Sequence, residues 1–240
     1  QATSAAVSPQ VAAGSLRKPS ATEQTIARRL TLSKQQIPHF YLAQEAEVSA
    51  LLALREQLNA AQAGVRFTVN HFILAAVGRA LVELPGANRV WTDDGFLSLS
   101  GSDVCMAVNA ERGLSVPVLR DVGRLPLAEL ARAAGAAIER AKAGSLSAAE
   151  MAGGAITVSN AGMFDVSYMS SIINPGQSII LGVGSVRELF RPDAQGQPAL
   201  RREMGLVLSA DHRVHDGVAA LAFLKRVVEH LQRPLGLLVS

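Results

Sequence analysis

Titratable side chains crowd into Ala210-Asp211-His212-Arg213-Val214-His215-Asp216-Gly217, a segment that joins an apolar strand candidate to the last helix candidate. An imidazole at such a junction can take and return a proton near neutral pH. His212 followed by Asp216 four residues later is also the spacing of a helix-surface pair or a capped turn, so this pattern alone leaves catalysis open. A second group, Thr157-Val158-Ser159-Asn160-Ala161-Gly162-Met163-Phe164, ends a strand candidate in hydroxyl and amide groups beside a glycine. By itself it reads equally as a strand running into a turn. Other signatures are missing: there is no Gly-x-Ser-x-Gly elbow, no Walker-type phosphate loop and no His-Glu-x-x-His pair. Gly182-x-Gly184 is a fragment of a dinucleotide fingerprint without its third glycine, and the apolar run around it points to a strand instead. His39, His71 and His230 fall in helices or beside a strand, where a structural or surface role is the ordinary reading.

The elements that must hold these groups can be read from periodicity. Ser20 or Thr22 caps a helix through Ile26, Ala27 and Leu30, and Pro38 ends that region before an extended Phe40-Tyr41-Leu42. Val48, Leu51, Leu52, Leu54 and Leu58 follow a helical stripe, and Thr68 opens a second helix that Pro85-Gly86 stops. Strand-like runs at 96–99, 103–109 and 114–119 precede an Ala-rich helix at about 126–142. Further strands are expected at 155–160, 178–186 and 204–210, before an amphipathic helix over 217–232 with Val218, Leu221, Leu224, Val228 and Leu231 inward. Helices mixed with β-rich blocks imply an α/β or α+β fold in one domain over residues 17–240. Residues 1–16 are small, polar and aperiodic, as in a flexible linker.

At 240 residues and 49% hydrophobic, the chain can bury a sizeable core. No run of about 18 apolar residues marks a membrane span, and the net charge of +3 comes from scattered basic residues, which argues against a nucleic-acid partner. Cys105 is the one cysteine, so no internal disulfide is possible, and its apolar neighbours mark it as a buried hydrophobe of a reducing compartment.

Taken together the two polar segments resemble the His-x-x-x-Asp-Gly and Thr-x-Ser-Asn-x-Gly-Met-Phe signatures of dihydrolipoyl acyltransferases, the E2 cores of 2-oxo-acid dehydrogenase complexes. Further residues agree in order: Ile26-Ala27-Arg28-Arg29-Leu30, Ser33-Lys34, Ile37-Pro38-His39-Phe40, Gly113-Leu114-Ser115-Val116-Pro117-Val118 and Ile172-Ile173-Asn174-Pro175. The resemblance covers roughly residues 17–240 and is closest to acetyl-transferring members, those of pyruvate or acetoin complexes. It implies a chloramphenicol acetyltransferase-like mixed sheet flanked by helices, a homotrimer with each site between two subunits, and trimers built into a cubic or dodecahedral core. It also implies E1 and E3 partners engaged through N-terminal domains, coenzyme A or acyl-CoA as substrate, and a lipoyl group on a separate lipoyl domain, with no metal. The expected compartment is the cytoplasm of a bacterium, or the mitochondrial matrix or plastid stroma of a eukaryote.

The same resemblance assigns roles. His212 is the base that makes the coenzyme A thiolate, which a thiol of pKa near 8.5 needs at neutral pH. Ser159 stabilises the oxyanion, and Asp216 supports the geometry through an arginine, with Arg28 and Arg29 as candidates. Asn160, Gly162 and Met163 line the substrate, while Gly217 permits a tight entry into the helix. The chain departs from the family at His215, usually apolar or small, which could alter the pKa of His212 or only face solvent. It departs again at Asp165, usually glycine, and over Ser20-Ala21-Thr22-Glu23-Gln24. Two alternatives stand: a non-catalytic scaffold of such a complex, and a stand-alone antibiotic O-acetyltransferase.

Overall fold

The computed structural model describes residues 14–61, 64–110 and 113–239; most of the expected linker, residues 1–13, lies outside the described residues. In chain order the elements are α1 (Ala21–Gln36), β1 (His39–Glu47), α2 (Ser49–Ala61), α3 (Val69–Glu83), β2 (Arg89–Thr92), β3 (Gly95–Ser98), β4 (Val104–Met106), β5 (Val108–Ala110), β6 (Gly113–Ser115) and β7 (Val118–Leu119). They continue with α4 (Leu127–Lys142), β8 (Ile156–Asn160), β9 (Ile179–Pro192), β10 (Pro198–Asp211) and α5 (Gly217–Gln232), and a 3-10 turn (Pro234–Leu237) follows.

Six strands form one mixed sheet in the order β1-β10-β9-β8-β4-β7, and β2–β3 and β5–β6 are separate hairpins. Strand β8 runs parallel to β4 and β9, and the remaining pairs in the sheet are antiparallel. Because side chains alternate across a strand, each central strand presents two chemistries. Ile156 and Val158 of β8, Ile179, Leu181 and Val183 of β9, and Leu206, Leu208 and Ala210 of β10 join the core shared with α2, α3, α4 and α5. Most alternate positions are small or polar, namely Thr157 and Ser159, Gly182 and Gly184, Ser209 and Asp211, while Ile180 and Val207 are apolar and buried on that side.

That second face is roofed by the chain between Val166 and Ser171. Its carbonyls lie so close that an added Cβ would stand 1.9 Å from Met169 O at Gly182, 2.1 Å from Ser167 O at Gly184 and 2.3 Å from Ser167 O at Gly205. The Gly-x-Gly fragment is therefore the bed of a β-strand on which backbone rests, and not a phosphate turn.

Helix starts follow local chemistry. Ser20 caps α1 in a full capping box with Glu23, where Ser20 Oγ accepts from Glu23 N and Glu23 Oε2 accepts from Ser20 N. Asp216 caps α5 by accepting from Ala219 N at 2.7 Å. The inward stripe of α5 is Ala220, Phe223, Leu224, Val227, Val228 and Leu231. Val218, expected inward, is 81% exposed, because the stripe that buries Phe223 and Leu224 begins at Ala220 and the position two residues earlier points away.

Candidate active site

His212 stands one residue beyond the last ladder pair of β10, His39 with Asp211. Its backbone N–H donates to Pro38 O at 3.0 Å, and its ring packs on Phe40 with centroids 4.6 Å apart. The residue is otherwise open to solvent. Asp211 beside it is fully buried and accepts from Arg213 through both the backbone N–H at 3.0 Å and the guanidinium, the closest contact being 2.7 Å. A buried carboxylate needs such a partner to stay ionised. Sequence reasoning looked for the carboxylate–arginine pair at Asp216, with Arg28 or Arg29. The structure forms it two residues apart, between Asp211 and Arg213, and no hydrogen bond joins Asp216 to Arg28 or Arg29 among the described residues. The signal that could have found it is an acidic residue closing an apolar strand, which has to be neutralised locally.

Asp216 is exposed and serves as the α5 cap. Gly217 meets no atom within 4 Å at the position of a Cβ and has no left-handed φ, so the tight helix entry expected of it is not what this chain requires there. His215 does not face solvent. It is 2% exposed, and its Nε2 lies 3.0 Å from Ser178 Oγ. Burial, helped by nearby Arg89, pushes its pKa down to about 4, so the ring is neutral.

Ser159 lies near the end of β8, half-buried, and Asn160 follows it at the surface. Asn160 Oδ1 accepts from Gly162 N at 2.8 Å, and its Nδ2 donates to Asn70 Oδ1 at 3.1 Å, which ties the turn to the start of α3. Gly162 is packed against Gly184 O, 3.1 Å from where a Cβ would stand. Met163 is 82% exposed and Phe164 is open beside it. Asp165, at the usual glycine position, has φ +55°, the left-handed region that aspartate tolerates better than most residues. The Ile172-Ile173-Asn174-Pro175 stretch binds elements together: His39 Nε2 accepts from Ile173 N at 3.0 Å, and Asn174 Nδ2 donates to Thr157 Oγ1 at 2.9 Å. With its Nδ1 2.8 Å from Ile37 O, His39 is occupied at both nitrogens and structural. Cys105 is buried, and desolvation raises its pKa to about 11, so it is inert.

The two polar segments are not adjacent within the chain. Ser159 pairs with Gly182 and Gly182 with Val207. His212 is thus two strands across and five residues along, a separation of about 20 Å between Cα atoms at ordinary strand spacings. A base, a reacting sulfur, a carbonyl and an oxyanion donor in series span only about 10 Å. One copy of the chain therefore does not bring His212 and Ser159 within reach of a common reacting group. Among the described residues no helix is long and apolar enough to cross a membrane.

Comparison with known proteins places this geometry. The family model "2-oxoacid dehydrogenases acyltransferase (catalytic domain)" matches residues 15–239. The dihydrolipoyllysine-residue acetyltransferase component of the Rickettsia conorii pyruvate dehydrogenase complex is 38% identical over 219 residues, covering 89% of this chain and 52% of the relative. The chain thus spans about half the length of the curated relatives it matches. Among solved structures, the Azotobacter vinelandii dihydrolipoamide acetyltransferase superposes with a TM-score of 0.86 at 30% identity, over 94% of this chain and 95% of that one. In that enzyme a serine, a histidine and an asparagine have been investigated for roles in the catalytic mechanism, the asparagine four residues after the histidine. The cubic core of a pyruvate dehydrogenase multienzyme complex matches with the same score, identity and coverage. A chloramphenicol acetyltransferase, at 19% identity and a TM-score of 0.55 over 85% of this chain and 94% of that one, shares the fold.

Proposed function

The chain belongs to the acyltransferase catalytic domains of 2-oxoacid dehydrogenases, and from that membership we propose that it moves an acetyl group between a dihydrolipoyl arm and coenzyme A. The observation that carries the reading is that one sheet presents a solvent-open His212, on a loop tied down by Asp211 and Arg213, at the end of one strand, and Ser159 with the Asn160–Met163 turn at the end of another.

In the forward direction the His212 imidazole takes the proton of the coenzyme A thiol. The thiolate attacks the carbonyl carbon of the acetyl-dihydrolipoyl thioester, forming a new C–S bond and a tetrahedral oxyanion toward which Ser159 donates. Collapse breaks the C–S bond to the dihydrolipoyl sulfur, which recovers the proton from His212. No redox change occurs, and no acyl-enzyme is needed because the two thiols exchange the group directly. Asp216 acts by anchoring the end of the loop through the α5 cap, and Asn160 and Gly162 fix the turn that presents Met163 to substrate. Substrates and lipoyl domain come from outside residues 17–240, as do contacts to E1 and E3.

The separation of about 20 Å between His212 and Ser159 supports a site assembled from two copies, which we place in a homotrimer that builds the core of the complex. The test is acetyl transfer from acetyl-CoA to dihydrolipoamide. His212→Ala should lose roughly 10³-fold or more in turnover and Ser159→Ala roughly 10²-fold. Chains of the two variants refolded together should regain activity above either alone, since some interfaces then carry both native residues. Near-native turnover of assembled His212→Ala, or no rescue in mixed assemblies verified by mass, would overturn the reading. Acetylation of chloramphenicol by a protein inert toward dihydrolipoamide would place it with the antibiotic enzymes.

A further inference from the structure

The β2–β3 hairpin pairs with no strand of the main sheet, and it leaves Trp91 40% and Phe96 55% exposed. Its contacts run to the loop that carries His212. The Arg213 guanidinium lies over the Trp91 ring, 5.2 Å from the centroid, while also chelating the buried Asp211. Arg89 lies over Phe96 at 5.0 Å and sends Nη2 to Val214 O at 2.6 Å. A third attachment is at Ser178, whose hydroxyl donates to Arg89 O at 2.6 Å. With its proton so used, Ser178 Oγ accepts from His215 Nε2, which fixes that ring in the tautomer protonated at Nε2.

The loop has few other supports. The β10 ladder ends at Asp211 and the α5 cap begins at Asp216. Between them the chain is held by Val214 N and His215 N, which both donate to Asp211 O, by His212 N on Pro38 O and its ring on Phe40, by Arg213 on the Asp211 carboxylate, by His215 on Ser178, and by the hairpin. We propose that β2–β3 is a clamp on the His212 loop, with Trp91 and Arg89 as positioning residues that set the imidazole for proton transfer. The inference rests on the reading of His212 as the base. Its leverage is the steepness of catalysis with geometry, where a displacement of about 1 Å can cost on the order of 10²-fold.

The test compares Trp91→Ala, Trp91→Phe and Arg213→Lys with the wild-type chain, each in assembled form checked by sedimentation. One readout is kcat and KM for acetyl-CoA and dihydrolipoamide; the other is amide hydrogen exchange at residues 212–216. Trp91→Ala should lower kcat roughly tenfold or more with both KM values within about threefold, because the transition state suffers and not substrate binding. Trp91→Phe keeps an aromatic face for Arg213 and should restore most of the rate, whereas Arg213→Lys keeps the charge but loses the planar fork and should resemble Trp91→Ala. Exchange at Val214 and His215 should quicken in Trp91→Ala. Native kcat in assembled Trp91→Ala, or unchanged exchange across the loop, would overturn the clamp. So would failed assembly with undiminished activity per assembled particle, which would make the hairpin an interface element. A wild-type chain that transfers no acetyl group would sink the functional reading instead, and the exchange measurement would still judge the clamp.

Discussion

His212 and His215 are three residues apart and opposite in use. The first residue is exposed, with its ring on Phe40, and the second is sealed against Ser178. Folding holds His215 neutral, with a pKa of about 4 against an ordinary 6.5. The unfolded chain therefore binds more protons than the folded one between those values, and stability must fall as pH drops through that window. The unfolding free energy from urea titrations between pH 7.5 and 5, where most carboxylates stay ionised, should decline by up to ~1.4 kcal/mol per pH unit from this residue. His215→Leu should remove that part of the slope. A slope unchanged by the substitution would mean that the ring takes up its proton without cost. Residue types alone left His212 and Ser159 ambiguous in the sequence, and only the resemblance to the acyltransferase signatures singled them out, while the long-range contacts around them were hidden. Arg89 and Val214 are 125 positions apart, and nothing local in either segment reports the other.

At the scale of elements, helices were the easiest to read. Thr68 opens α3, the span 217–232 is α5, and the box at Ser20 starts α1. The long strands were foreshortened. β9 and β10 run on through Pro192 and from Pro198, and their outer halves mix arginine and glutamate with exposed apolar residues such as Phe190 and Leu200, which hides the strand period. Only the fold brings Arg191 to Glu203 and Glu45, at 2.7 and 2.8 Å, and makes that charged stretch a ladder. The glycine bed offers a sharper check. Alanine at Gly182, Gly184 or Gly205 drives a methyl into a backbone carbonyl that cannot turn aside, so each should cost roughly 1–3 kcal/mol or more in chemical unfolding. Gly217→Ala, with open space around it, should cost far less. Equal losses at all four positions would show that the roof over the sheet is not what selects glycine.

For the whole molecule, the C-terminal turn is only partly free. Pro234 and Leu237 pack into the chain's own core, while Leu235, Leu238 and Val239 are left exposed. Beside them a groove of about 640 Å³ runs between α2 and α5, lined by Ala50, Leu54, Pro234 and Leu235 among others. An apolar tip next to a groove of mixed lining on the same surface suits contact between the proposed trimers across a two-fold axis, each tip in the other's groove. Leu235→Asp, which spares the buried Leu237, should leave trimers in sedimentation velocity but abolish larger particles; intact cages would show the tip to be idle. The distance between His212 and Ser159 has a further meaning for how activity is counted. Each copy then carries halves of two different sites, so an isolated chain owns none, and a pair joined at one contact owns one site for two chains. Only ring closure gives every chain a site, and the last contact made completes two chains at once. Activity per chain is therefore a measure of closure, and dilution should silence the enzyme before it unfolds it.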